Sequence, residues 1–168
     1  HCIGATTIQE YKKYFEQEDF KKALEGDGKH AGLISLIEEY GSTKGGSLAN
    51  FYAGNIYLRQ GEYKKAIEHL SAYKGEDKIL AQQTKALIGD AYVELGQLDK
   101  AISNYKDAAK SNNVMTTPFI LLKLGQVYEM QKNNAEALNC YKRIKTEFPA
   151  SQEYREIEKY ISRLENLQ

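Results

Sequence analysis

Tryptophan is absent from this chain, proline and cysteine occur twice each, and neither sign of charge is in excess across its 168 residues. Each shortage excludes something. Lys plus Arg number 23 and Asp plus Glu number 23, so the net charge is zero. No global field then draws the molecule to nucleic acid or to an anionic lipid surface, and nucleic acid is not an expected partner. Cys2 and Cys140 lie far apart, belong to no C-x-x-C or Cys/His cluster, and read as two free thiols rather than a disulfide framework or a metal site. The most conspicuous apolar run, Phe119-Ile120-Leu121-Leu122, is far short of the roughly 18 to 20 residues that cross a bilayer. A signal or anchor upstream of His1 stays open, because the sequence does not begin with Met. What is present is an ordinary balance for a soluble globule, 42% hydrophobic and 27% charged, with 13 tyrosines as the main packing aromatic. The length suits one folding unit.

Self-similarity is the most informative feature. The strings Gly61-Glu62-Tyr63-Lys64-Lys65-Ala66-Ile67, Gly96-Gln97-Leu98-Asp99-Lys100-Ala101-Ile102 and Lys132-Asn133-Asn134-Ala135-Glu136-Ala137-Leu138 align. Upstream of each stands a second shared string: Ala53-Gly54-Asn55-Ile56-Tyr57, Ile88-Gly89-Asp90-Ala91-Tyr92 and Leu124-Gly125-Gln126-Val127-Tyr128. Both strings recur at intervals of 35 and then 36 residues, in one register.

A helical reading explains the residue types. Glycine inside a helix costs about 1 kcal/mol relative to alanine, so Gly54, Gly89 and Gly125 are expected where a neighbouring helix leaves no room for a Cβ. Tyr57, Tyr92 and Tyr128, three residues on, share that face. Gly61 and Gly96 are placed to close the first helix in a left-handed conformation. In the second helix, Ala66, Ala101 and Ala137 allow close approach, and Leu70, Tyr105 and Tyr141, four residues on, supply bulk.

These residues resemble the tetratricopeptide repeat, with its Gly, a Tyr three later, a small residue nine after that, an aromatic four later and a terminal Pro. The third copy has all five: Gly125, Tyr128, Ala137, Tyr141 and Pro149. Departures are Leu70 for the aromatic in the first copy, Lys132 for the inter-helix Gly in the third, and Pro at the end of the third copy only. The resemblance implies an all-α, right-handed solenoid of helical hairpins with copies at 47–81, 82–117 and 118–151. Residues 1–46 read as a degenerate N-terminal repeat. Its string Glu18-Asp19-Phe20-Lys21-Lys22-Ala23-Leu24 is followed by a glycine-rich insertion, Gly26 to Gly32, that is expected to break the helix before Leu33. Gly41 to Gly46 is expected to be a loop. Residues 152–168 read as a capping helix, with Tyr154, Ile157, Ile161 and Leu164 on one face and charges on the other.

No catalytic centre, cofactor or metal is expected. Gly26-x-Gly28 lacks the third glycine and the preceding strand of a dinucleotide fingerprint, and Gly41 to Ser47 lacks the order of a phosphate loop. His1, His30 and His69 are scattered, and none stands at i, i+4 with a second ligand. Glu38-Glu39 and the Glu16/Asp19 pair read as solvated helix faces. Cys140 has no evident base.

Surface recognition remains. In such repeats the first helices line a concave groove, and projecting that geometry onto this chain places Phe51, Tyr52, Asn55 and Arg59 there from copy one. Asp90 and Glu94 follow from copy two, and Lys123 and Gln126 from copy three. The expected partner is a protein or peptide, with Asp90 and Glu94 suited to a Lys or Arg side chain. Relatives that grip a C-terminal carboxylate use Lys, Asn and Arg at set groove positions, and only Asn55 matches here. The strings Ala23-Leu24-Glu25-Gly26-Asp27-Gly28, Ile37-Glu38-Glu39-Tyr40-Gly41 and Gly89 to Gly96, followed by the terminal helix, make nearly the entire chain, the first few residues excepted, similar to bacterial envelope repeat proteins of Bacteroidetes type. Those are anchored by one N-terminal span and are similar to the ancillary subunit of the Sec translocon. This resemblance implies a periplasmic adaptor or chaperone-like accessory. The alternatives are a cytoplasmic location and a scaffold that self-associates without a groove ligand.

Overall fold

The structure, a computed structural model, describes residues 13, 14, 16 and 19–167. Among them are nine helices and a single isolated bridge between Gly26 and Ala31. The helices are α1 Phe20–Glu25, α2 Leu33–Tyr40, α3 Lys44–Arg59, α4 Tyr63–Ser71, α5 Lys78–Glu94, α6 Leu98–Ala109, α7 Thr117–Met130, α8 Asn134–Glu147 and α9 Tyr154–Glu165. The chain divides into two compact units, the first ending at Ala91 and the second beginning at Tyr92. His1, Cys2 and Glu18 lie outside the described residues.

In the first unit, α1 packs on α2, α2 on α3 and α3 on α4. Asp19 caps α1 by accepting the Lys22 amide, and Gly26, at φ +94°, ends it. The insertion therefore breaks the helix where expected. The loop is closed by Asp27, whose Oδ1 accepts the amides of Lys29 and His30 at 2.9 and 2.8 Å while Oδ2 accepts the Tyr14 hydroxyl at 2.7 Å. Those donors, the Tyr14 hydroxyl foremost, hold the Asp27 carboxyl well below the usual carboxylate range. The core gathers Ala23, Leu24, Leu33, Ala49, Ala53 and Ile56.

Helix α3 begins earlier than the sequence suggests. Lys44, Gly45 and Gly46, read as loop, are its first turn. Thr43 decides this: its Oγ1 donates to the Tyr40 carbonyl at 2.7 Å and accepts the Gly46 amide at 3.2 Å, so one side chain closes α2 and opens α3. A Cβ at Gly46 would collide with the Tyr40 carbonyl, so its glycine serves a close approach rather than a loop.

In the second unit, α6 packs on α7, α7 on α8 and α8 on α9. The buried side chains include Tyr105, Leu121, Tyr141, Ile144 and Phe148. From α9 come Ile157, Ile161 and Leu164, each worth about 1.5–3 kcal/mol when fully buried. Tyr154, assigned to the same stripe, is 38% exposed at the start of the helix. Tyr160 takes the aromatic role instead, its ring 5.3 Å from that of Tyr141. Arg163 bonds the Glu129 carboxylate of α7 at 2.8 Å, while Lys142 and Lys145 of α8 pair with Glu165 and Glu158 of α9.

The repeat register is written in the backbone. After α3 the Gly61 amide donates to Leu58 and the Glu62 amide to Tyr57. After α5 the Gly96 amide donates to Val93 and the Gln97 amide to Tyr92. After α7 the Lys132 amide donates to Glu129 and the Asn133 amide to Tyr128. All three are Schellman closures, with Gly61, Gly96 and Lys132 in the left-handed region at φ +77°, +72° and +60°. Ala66, Ala101 and Ala137 are fully buried, and Gly54 faces Leu70 as Gly125 faces Tyr141.

Candidate functional site

The outward faces of the first helices follow from what the other faces bury. Helix α3 buries Ala49, Asn50, Ala53, Gly54 and Ile56 between α2 and α4, and leaves a stripe at Tyr52, Asn55 and Arg59. Tyr52 and Asn55 are half-buried and Arg59 is exposed. The Asn55 amide donates to the Phe51 carbonyl at 2.9 Å, and the Arg59 guanidinium lies 6.0 Å from the centre of the Phe20 ring. Phe51 sits off this stripe: it is 8% exposed and packs on Tyr52 and on Tyr73, with ring centres 5.6 and 5.8 Å away.

On α5, Asp90 is half-buried and Glu94 exposed, one helical turn apart. On α7, Lys123 is half-buried with its Nζ 4.6 Å from the centre of the Phe119 ring, and Gln126 is exposed. Sequence reasoning missed the apolar members of that face. Phe119 and Met130 are 50% and 57% exposed, and Met115, in the turn before α7, is 82% exposed. Residues 115, 119, 123, 126 and 130 share one side of the helix, whereas Leu121, Leu124 and Tyr128 are buried on the other. The signal was the period of 3.6 within the apolar run 119–122, which separates an outward Phe119 from an inward Leu121.

Elsewhere the chemistry is quiet. His69 is half-buried, stacked on Tyr57 at 5.2 Å, with Nδ1 2.9 Å from Asn50 Oδ1. The Asn50 amide donates to Gly46, so its oxygen accepts and His69 Nδ1 is the protonated nitrogen. Burial pushes its pKa down. Cys140 is buried, which pushes its thiol up to about 12, far from a nucleophile's range. A cleft of about 650 Å3 in the first unit is lined by Lys21 and Lys65 together with Glu25 and Glu62, a mixture that selects no charge. No group of three metal-ligating side chains occurs among the described residues, and no helix there is long and apolar enough to cross a membrane.

The sequence profile described as tetratricopeptide repeat-like domain matches residues 5–129, and a tetratricopeptide repeat profile matches residues 120–151. No curated protein matches the chain significantly. Among solved structures, a tetratricopeptide repeat protein from Parabacteroides merdae ATCC 43184 superimposes with a TM-score of 0.75 at 18% identity. The match covers 99% of this chain, which spans 61% of that one. MamA protein superimposes with a TM-score of 0.71 at 17% identity, over 98% of this chain and 87% of the other. BtubC from P. vanneervenii gives 0.53 at 13% identity, over 97% and 66%.

Proposed function

Because this chain belongs to the tetratricopeptide repeat-like domain family, whose profile spans residues 5–129, we propose that it holds a partner protein on the outward faces of its first helices. Members of the family generally bind proteins or peptides and are generally not enzymes. The observation that carries the reading is the outward stripe of α7, where Phe119 and Met130 stay half exposed on a helix whose other side is buried. A flexible Met on the same face as a rigid aromatic suits a surface that adapts to a partner. Lys123 adds a positive charge within that stripe, and Asp90 with Glu94 adds an acidic pair on α5 for a basic side chain. An envelope location, as adaptor or chaperone-like accessory, is supported by the resemblance of the sequence to envelope repeat proteins.

The test is capture from the native membrane and soluble fractions in parallel. A defined partner retained by the wild type should be lost with Phe119→Glu plus Met130→Glu and weakened by Asp90→Lys plus Glu94→Lys. A partner held equally by both variants rules the stripes out. Recovery from the cytoplasmic soluble fraction alone, with none from the periplasmic or membrane fractions, rules out the envelope. A second reading, self-association, is supported by the tip Val114-Met115, 70% and 82% exposed. Asn113 Oδ1 holds that tip by accepting the amides of Met115 and Thr116. Concentration-dependent dimers that Met115→Asp abolishes would establish it.

A further inference from the structure

Methionine ordinarily fills irregular gaps inside a core, where its thioether is shielded from oxidants in the solvent. This chain holds two methionines and no tryptophan, and neither methionine joins the core of either unit. Met115, in the turn before α7, and Met130, the last residue of α7, are each more than half exposed and bracket Phe119 on the outward stripe. The remaining described sulfur is placed the opposite way. Cys140 is buried, and its thiol, pushed up to about 12, offers no thiolate to an oxidant.

Among the described sulfurs, then, an oxidant meets those on the docking face. With hydrogen peroxide the thioether sulfur attacks one peroxide oxygen and the O–O bond breaks. Sulfur is oxidised by two electrons to the sulfoxide, while the other oxygen leaves as hydroxide and takes the proton of the first to become water. A polar, chiral group now stands where a flexible apolar one was. Both positions face water, so the folded chain accommodates the change without disturbing its core. A docked partner does not, because the S=O dipole would be buried against apolar surface without a donor. Of the three large exposed hydrophobes on the stripe, Met115, Phe119 and Met130, oxidation leaves only Phe119.

We propose that Met115 and Met130 form a reversible oxidation switch on the α7 face: as thioethers they help to hold the partner, and as sulfoxides they release it. Methionine sulfoxide reductases reverse the step, taking two electrons from a dithiol, which becomes a disulfide, and releasing the oxygen as water. This inference rests on the docking proposed for the outward stripe and adds its regulation.

The test treats the purified chain with hydrogen peroxide, removes the excess with catalase, and then repeats the partner capture. Peptide mass mapping should show one oxygen gained at Met115 and one at Met130, with Cys140 still a thiol and the melting temperature unchanged. Capture should fall about tenfold. It should return after repair with dithiothreitol and the two reductases, one for each sulfoxide epimer. In Met115→Leu plus Met130→Leu, compared with its own untreated capture, peroxide should change nothing. Equal capture by the wild type before and after oxidation, a loss that persists in the leucine variant, or a loss that follows a lowered melting temperature would each overturn the switch. An untreated chain that holds no partner released by Phe119→Glu plus Met130→Glu marks a different failure, that of the docking itself, and the switch falls with it.

Discussion

The hairpin α3–α4 of the first unit and the hairpin α7–α8 of the second share one backbone plan and reach it with different side chains. In the first, Gly54 admits Leu70, whose Cγ would lie 2.5 Å from a Cβ placed there. In the second, Gly125 admits the ring of Tyr141, whose hydroxyl donates to Glu129 at 2.5 Å, and Glu129 in turn holds Arg163 of α9. Burial and that hydrogen bond push the Tyr141 phenol up, so it stays protonated as a donor. The first hairpin is locked by packing alone at this point, whereas the second is locked by packing and a polar tie to the next helix. The turns differ in the opposite sense. Gly61 takes the left-handed conformation freely, but Lys132 pays a Cβ penalty for it, offset in part by Asn133, whose side chain accepts the Glu136 amide.

The largest test of this contrast is truncation of the bulky partner. Tyr141→Ala should cost about 4 kcal/mol and Leu70→Ala about 3 kcal/mol by urea denaturation. A Leu70 loss equal to or above that of Tyr141 would mean that the Glu129 tie contributes nothing. Next, Gly125→Ala should cost about 2–3 kcal/mol and Gly54→Ala about 1–2 kcal/mol, because a rigid buried ring yields less readily than a branched chain. Equal melting temperatures would remove the distinction. Exchanging the turn residues should give smaller effects of opposite sign: Gly61→Lys should destabilise and Lys132→Gly stabilise, each by about 1 kcal/mol.

The smallest effect separates the units by pH. Burial lowers the folded-state pKa of His69 from 6.5, so the neutral ring is favoured on folding. That contribution is complete above pH 6.5 and is lost as pH falls below it toward the folded value. Cys140 occupies the corresponding position in the last hairpin, and its thiol, at about 12, does not titrate there. Hydrogen exchange between pH 7 and 5.5 should therefore show α3 and α4 losing protection before α7 and α8, and His69→Phe should remove the difference.

Much of this was legible because the repeat demands small residues on a fixed period. Gly54, Gly125, Ala66, Ala101 and Ala137 announce helix crossings, since only a missing or minimal side chain fits there. Gly61 and Gly96 announce turns, and the stripe Ile157, Ile161 and Leu164 announces a helix with one dry side. Less legible were features that depend on partners remote in sequence. Phe51 reads as a groove aromatic by its position, but Tyr73 packs against it. Tyr154 has the spacing of a buried residue yet begins its helix in water, while Tyr160 finds Tyr141. The start of α3 was hidden because glycines read as loop until Thr43 is seen capping and Gly46 is seen pressed on Tyr40.

The period, the residue types at the tight crossings and the left-handed turns were determined by the sequence alone, because each is a local steric requirement of a repeated backbone. Which aromatic fills which crossing was decided by the tertiary structure, as was the tie of Tyr141 and Arg163 to Glu129. Those depend on distances between side chains that lie in different helices, which no spacing along the chain specifies.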